Sequence, residues 1–238
     1  MSDFHIADLI NPEFYINLEI GGVPIGIYVV LFIIFAETGL FAGFFLPGDS
    51  LLFLSGIYST ELLNTIYVIN TGSPALTDFL NVTSVATLVA IAGIVGNTFG
   101  YWFGKKSGTY LYTKEDSFWF KKKYLIESKV FYEKHGGRAI IIARFLPIIR
   151  TFAPIIAGIV QMERKRFMFY NVVSSILWAF SLIFAGHYLN ELFKSQFDIN
   201  LKDFIEVIII IIVAITTVPL VLNYLKRKKE TANENKEE

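Results

Sequence analysis

A chain of 238 residues that is 54% hydrophobic, with mean hydropathy +0.53, is too apolar for an ordinary soluble domain, and its apolar residues come in long blocks without amphipathic alternation. It has no cysteine, which excludes disulfides and thiolate metal sites, and His5, His135 and His187 are too scattered along the sequence for a ligand cluster; no metal site and no cofactor are expected. The zero net charge hides a segregation, because every lysine and arginine lies at or beyond Lys105.

That composition predicts an all-α polytopic membrane protein with one membrane domain over residues 1–225 and a tail, 226–238, that is first basic and then disordered. The N-terminus, Met1-Ser2-Asp3-Phe4-His5, lacks the basic region and cleavage site of a signal peptide. Residues 24–58 are too long for one span of about 20 residues. Pro47-Gly48-Asp49 would end a helix in their middle, so they read as a re-entrant hairpin. A first full span is expected at 83–104, with Ala92, Gly96, Gly100 and Gly104 forming a small-residue stripe for close helix packing.

Residues 109–137 interleave aromatic and basic side chains, which predicts a helix on the cytoplasmic surface; a solvated connector helix is the plainer reading. Residues 139–160 have the length of a span, but a crossing there would put Arg164-Lys165-Arg166 outside. A second hairpin, entering from the cytoplasm and broken at Pro147 and Pro154, keeps every basic cluster inside. Spans at 167–189 and 204–225 complete three transmembrane helices and two opposed hairpins, an inverted-repeat-like plan. Its N-terminus faces out and its C-terminus faces the cytoplasm.

Both hairpins carry the tripeptide Phe-Leu-Pro, at 45–47 and 145–147. The first also holds Glu37 and Asp49, the second Arg144 and Arg150. Each charge at a span centre costs about 2.5 to 3.5 kcal/mol on insertion scales, so four unpaired charges would cost roughly 10 to 14 kcal/mol. Hairpins from opposite faces would bring acids and arginines together at mid-depth, where pairing or water lowers that cost. A purely structural lock is one reading. The other is functional: two planar guanidiniums suit a phosphate, and partly desolvated carboxylates exchange protons near neutral pH. Gly48 and the two prolines shape the breaks.

These motifs resemble the DedA family of bacterial membrane proteins, related to the VTT or SNARE-associated domain of eukaryotic lipid scramblases. The likeness covers roughly residues 20 to 190, through Glu37-Thr38-Gly39-Leu40, Phe45-Leu46-Pro47-Gly48-Asp49, Gly136, Ala143-Arg144-Phe145-Leu146-Pro147, Arg150-Thr151 and Ala157-Gly158, continued by Met162, Phe167, Asn171 and Trp178. The resemblance implies opposed re-entrant hairpins, residence in the bacterial inner membrane, and return of undecaprenyl phosphate to the cytoplasmic leaflet, driven by the proton-motive force. Its functional acids fall on Glu37 and Asp49, its functional arginines on Arg144 and Arg150. Two positions depart from it: Asn97 stands where relatives often carry an acid, and Ser174 where they often carry glycine.

The leading function is therefore proton-linked translocation of a polyprenyl phosphate, with the lipid phosphate headgroup, the bilayer and protons as partners, a homo-oligomer allowed and no nucleic acid. A general phospholipid scramblase and a cation/proton exchanger are the alternatives; the arginines would hinder the latter. An enzyme is not expected, because neither His135 nor His187 sits where a nucleophile and its base would need it.

Overall fold

In the computed structural model, residues 12–16, 18–40, 48–66, 68–113, 130, 132, 134–199, 201–204 and 207 are described. In chain order they form α1 (Pro12–Ile16), the strands β1 (Glu19–Ile20) and β2 (Val23–Pro24), and the helices α2 (Gly26–Gly39), α3 (Gly48–Ile57), α4 (Ser59–Asn64) and α5 (Pro74–Thr113). α6 (Arg138–Arg144), α7 (Pro147–Ile159), α8 (Arg164–Phe197) and a 3-10 turn over Leu201–Phe204 follow. The strands are the one departure from an all-α chain among the described residues. Gly21 and Gly22, at φ 61° and 81°, make the two-residue turn that pairs Ile20 with Val23.

Two apolar blocks grow into long helices. α5 has 40 residues and α8 has 34, so at 1.5 Å per residue they reach about 50 to 60 Å. Both hold a stretch apolar and long enough to cross a membrane, with mean hydropathy 2.0 and 1.8. They extend well past the spans expected at 83–104 and 167–189. Their ends are set by backbone signals instead of hydropathy: Pro74 opens α5, and Asp198 in the left-handed conformation, φ 54°, closes α8.

The two long helices run antiparallel, which their side-chain pairs establish: Asp78 meets His187, Asn97 meets Asn171, and the Tyr101 hydroxyl donates to the Met162 carbonyl. Against them pack two broken helix pairs. α2 crosses α5 where a Cβ on Gly39 would lie 2.7 Å from the Gly96 carbonyl oxygen, so the two backbones are in contact. α3 then runs toward the end of the molecule that holds Pro74 and Phe197, with Gly56 against the Ile183 carbonyl and Gly186 against that of Phe53.

The second pair approaches from the other end. Gly137, just before α6, lies against the Tyr170 ring, and Arg144 at the close of α6 reaches Gly93. α7 returns along α5, with Gly104 against the Ile155 carbonyl and Gly158 against that of Tyr101. The small-residue stripe thus packs two partners, α2 through Gly96 and α7 through Gly104. Both breaks lie at one level, near Gly93 and Gly96 of α5 and Asn171 to Trp178 of α8.

Two apolar clusters flank that level. One joins α2, α3, α4 and the adjoining halves of α5 and α8 through residues such as Ile34, Leu54, Leu63, Val85 and Ile183. The other gathers Tyr132, Ile140 and Ala157 around the stacked rings of Tyr101 and Phe167, 4.3 Å apart. Large apolar side chains also cover the outside, among them Val95 and Trp102 on α5 and Phe169 and Leu177 on α8. Such a surface suits lipid. Pro47, most of the expected surface helix 109–137, most of the expected span 204–225 and the tail 226–238 lie outside the described residues.

Candidate functional site

Each charged residue is placed by the end of a helix. Glu37 sits in the last turn of α2, and Asp49 is the second residue of α3. There the unpaired amides of a helix start favour a carboxylate. Glu37 also comes to this terminus, because Gly48 has no side chain: a Cβ there would overlap Glu37 Oε2. Arg144 is the last residue of α6. Pro147 occupies the first position of α7, where a missing amide hydrogen costs nothing, and Arg150 is the fourth residue. A break at Pro154 is not met, because α7 continues through it to Ile159. Arg150 N–H donates to the Leu146 carbonyl, so the turn that presents Arg150 is intact on its N-terminal side.

The two arginines differ. Arg150 donates through Nη2 to Glu37 Oε1 and through Nη1 to Asp49 Oδ1, forming one guanidinium bridge between two carboxylates. Arg144 has no hydrogen-bond partner for Nε, Nη1 or Nη2 among the described residues, although it is only 2% exposed. Its guanidinium carbon lies 4.4 Å from the centre of the Trp178 ring, and that of Arg150 lies 5.2 Å from the same ring. Trp178 Nε1–H donates to Asp49 Oδ1 at 2.9 Å. One indole therefore attracts both cations through its π face and fixes one acid through its edge.

Several other buried polar atoms around this level lack a partner among the described residues: Glu37 Oε2, Asn97 Oδ1, Arg150 Nε and Thr151 Oγ1. Buried polar groups in folded proteins are nearly always satisfied, so a group of exceptions marks a place for water or a ligand. Asn97 donates to Asn171 Oδ1 at 2.7 Å, and Asn171 donates in turn to the Ile94 carbonyl at 3.1 Å. This amide pair ties α5 to α8 beside the charges.

Trp178, one of the residues that continue the family motifs, is the part of the site that spacing along the chain does not single out. Its role depends on a partner 129 positions away, Asp49. A lone tryptophan in the middle of an apolar span was the available signal. Elsewhere, folding places Asp78 and Glu191 beside His187, although the three histidines themselves are scattered along the chain. A groove of about 800 Å³ runs between α5 and α8, lined by Val95, Phe99 and Trp102 and ending at Lys105, Lys106 and Arg164.

The VTT domain model matches residues 46–188. Protein DedA of Escherichia coli (strain K12) is 35% identical over 231 residues, covering 97% of this chain and 92% of its own length. The chain belongs to the DedA family of membrane proteins. An uncharacterised membrane protein of Mycobacterium leprae is 37% identical over 76% of this chain and 74% of its own. The inner membrane protein YghB of Escherichia coli (strain K12) is 32% identical over 69% and 68%. No solved structure matches. In this DedA-family chain the matched region begins just before Pro47 and takes in Asp49, both arginines and Trp178, whereas Glu37 lies ahead of it.

Proposed function

We propose that this DedA-family protein moves a polyprenyl phosphate from the outer to the inner leaflet of a bacterial inner membrane, with protons as the coupled ion. The observation that carries the reading is the unequal pair of arginines: Arg150 bridges both acids through Nη1 and Nη2, while Arg144 is buried without a hydrogen bond to any described residue. A buried guanidinium in that condition is a site for an anion with several oxygens. The phosphate would meet Arg144 first and then compete with Glu37 and Asp49 for Arg150. Two arginines and two carboxylates sum to zero, and a phosphate monoester brings about −1.5 to −2 charges. Neutrality at mid-depth is regained when the displaced carboxylates take up about two protons. Headgroup and protons then travel together, and the apolar groove between α5 and α8 offers a path for the prenyl tail.

The same reading takes the broken pairs as re-entrant hairpins that enter from opposite membrane faces, α2–α3 from outside and α6–α7 from the cytoplasm. Their lengths support it: the longest of the four, α2, has 14 residues, which is about 21 Å and short of a hydrocarbon core of about 30 Å. With Arg164-Lys165-Arg166 inside, the N-terminus faces out and the C-terminus in. The absence of cysteine makes single-cysteine labelling direct. Ser73→Cys, at an exposed position, should react with an impermeant reagent from outside, and Lys165→Cys, also exposed, only after the membrane is opened; the reverse pattern would overturn the orientation.

Proteoliposomes with labelled polyprenyl phosphate test the transport reading. Wild-type protein should translocate the lipid with a pH gradient and slow markedly without one. Arg144→Lys, which keeps charge and loses the planar fork, should abolish transport, and Glu37→Gln should shift its pH dependence. Wild-type rates in both variants exclude the scheme. Equal transport of ordinary phospholipids without a gradient would indicate a general scramblase instead.

A further inference from the structure

The charge cluster is not the one convergence of ionisable groups. At the end of the molecule that holds Pro74 and Phe197, Asp78 of α5 approaches His187 and Glu191 of α8. His187 and Glu191 are four residues apart and so share a helix face, and Asp78 faces them because α5 runs antiparallel to α8. Two ligands at i and i+4 on one helix, with a third from its neighbour, is a spacing by which helices chelate metals.

The donor geometry is close to what a cation needs. His187 Nε2 lies 2.8 Å from Asp78 Oδ2 and 3.7 Å from Glu191 Oε2, and the three donor atoms lie within 4.8 Å of one another. Four-coordinate zinc, with bonds of about 2.0 to 2.2 Å, sets its donors about 3.3 to 3.6 Å apart. Small side-chain rotations bring this trio to that spacing.

The charge balance points the same way. Both carboxylates approach one nitrogen, and a neutral imidazole has one hydrogen to donate there. The contact to Asp78 uses it, which leaves Glu191 without that donor. Lys202 does not neutralise the trio, being held by Glu61 at 2.6 Å and set over the Tyr58 ring at 4.1 Å. Lys194 lines the same cavity and is the competing cation.

We propose that Asp78, His187 and Glu191 form a binding site for a divalent transition-metal cation of the zinc class. One imidazole nitrogen with two carboxylate oxygens selects such ions over magnesium or calcium, which take oxygen ligands. His187 is the buried, fixed ligand at 7% exposure, while the Asp78 and Glu191 side chains, at 36% and 55%, are reachable from solvent. A cavity of about 440 Å³ beside them gives a hydrated ion its entry and leaves the fourth position to water. Gly56 of α3 packs against the backbone of Ile183 and the backbone nitrogen of His187. A metal here ties α5 and α8 together at the foot of α3, the helix whose other end carries Asp49. The inference stands apart from the transport reading.

The test is equilibrium dialysis of the untagged, full-length protein in micelles against zinc chloride, with metal content read after gel filtration. Wild type should retain one zinc ion per chain. Glu191→Gln, an exposed position that leaves the fold intact, should bind at least about tenfold more weakly. Asp78→Asn with Glu191→Gln, and His187→Ala separately, should retain none, while Lys194→Ala should bind at least as well as wild type. Failure of wild type to retain zinc, or equal retention by the double variant, overturns the site. A melting temperature that responds to acid but not to zinc also overturns it, since the trio would then be a proton-mediated clamp.

Discussion

The α2–α3 and α6–α7 pairs are built on one plan and end in opposite electrostatic states. Each breaks after a helix that ends near a charge and restarts with a second charge in the next first turn, Glu37 and Asp49 in one, Arg144 and Arg150 in the other. Acids and arginines are equal in number, so two separate pairs would satisfy them. Instead both acids take one arginine. Both acids of the first pair are held in place, because Gly48 lets Glu37 reach the start of α3 and Trp178 of α8 fixes Asp49. The pair with the arginines is left with one cation that lies against an indole face and has no hydrogen bond among the described residues. Pairing for stability alone would not leave such a residue, and the difference separates what holds the breaks together from what remains for a ligand.

The comparison breaks most sharply at Arg150. Arg150→Ala removes the partner of two buried carboxylates, which should cost about 3 to 5 kcal/mol, and transport should vanish. Adding Glu37→Gln and Asp49→Asn should restore much of the stability and none of the transport. Thermal unfolding in micelles and a liposome assay read the two effects separately. Should the triple variant transport, the arginine bridge is only a lock.

Arg144 should behave in the opposite sense. Replacing a buried charge that has no hydrogen bond by an apolar side chain of similar length commonly stabilises, so Arg144→Met should raise stability by about 1 to 3 kcal/mol and abolish transport. A residue kept at such a cost is kept for a ligand. Arg144→Met that melts lower than wild type would mean that the guanidinium is held by contacts beyond the Trp178 ring, and the asymmetry between the two pairs would disappear.

The helix starts at Gly48 and Pro147, the charge sets and the family motifs were legible in the sequence, because proline, glycine and isolated charges stand out against apolar runs; Pro154 stood out equally and breaks nothing. Which arginine meets the acids was not legible. Arg144 and Arg150 lie on different helices, and a helix turns 100° per residue, so their directions follow from how α6 and α7 pack on α5 and α8. Helix ends escaped for a related reason: Pro74 and Asp198 mark them by backbone geometry, where hydropathy marks only the apolar middle. The Gly21-Gly22 turn carries its own signal, a glycine pair that takes the positive φ a two-residue turn requires. Glu37 beside Asp49 follows from a local break. Asp49 beside Trp178, or Asp78 beside His187, follows only from the antiparallel docking of distant segments.

Trp178 gives the finest test, since it touches both sides of the comparison through different atoms. Trp178→Phe keeps an aromatic face under Arg144 and Arg150 and removes the Nε1–H that Asp49 accepts. The lost hydrogen bond to a carboxylate should cost about 1 kcal/mol, and the smaller ring should leave a gap among α3, α5 and α8. Transport should persist at a reduced rate, because Asp49, released from one donor, is held by Arg150 with less restraint. Trp178→Leu removes the face as well and should add loss of headgroup affinity, as Arg144 loses its support. Equal effects from the two substitutions would mean that the indole acts through its edge alone and that the cation above its face is held in some other way.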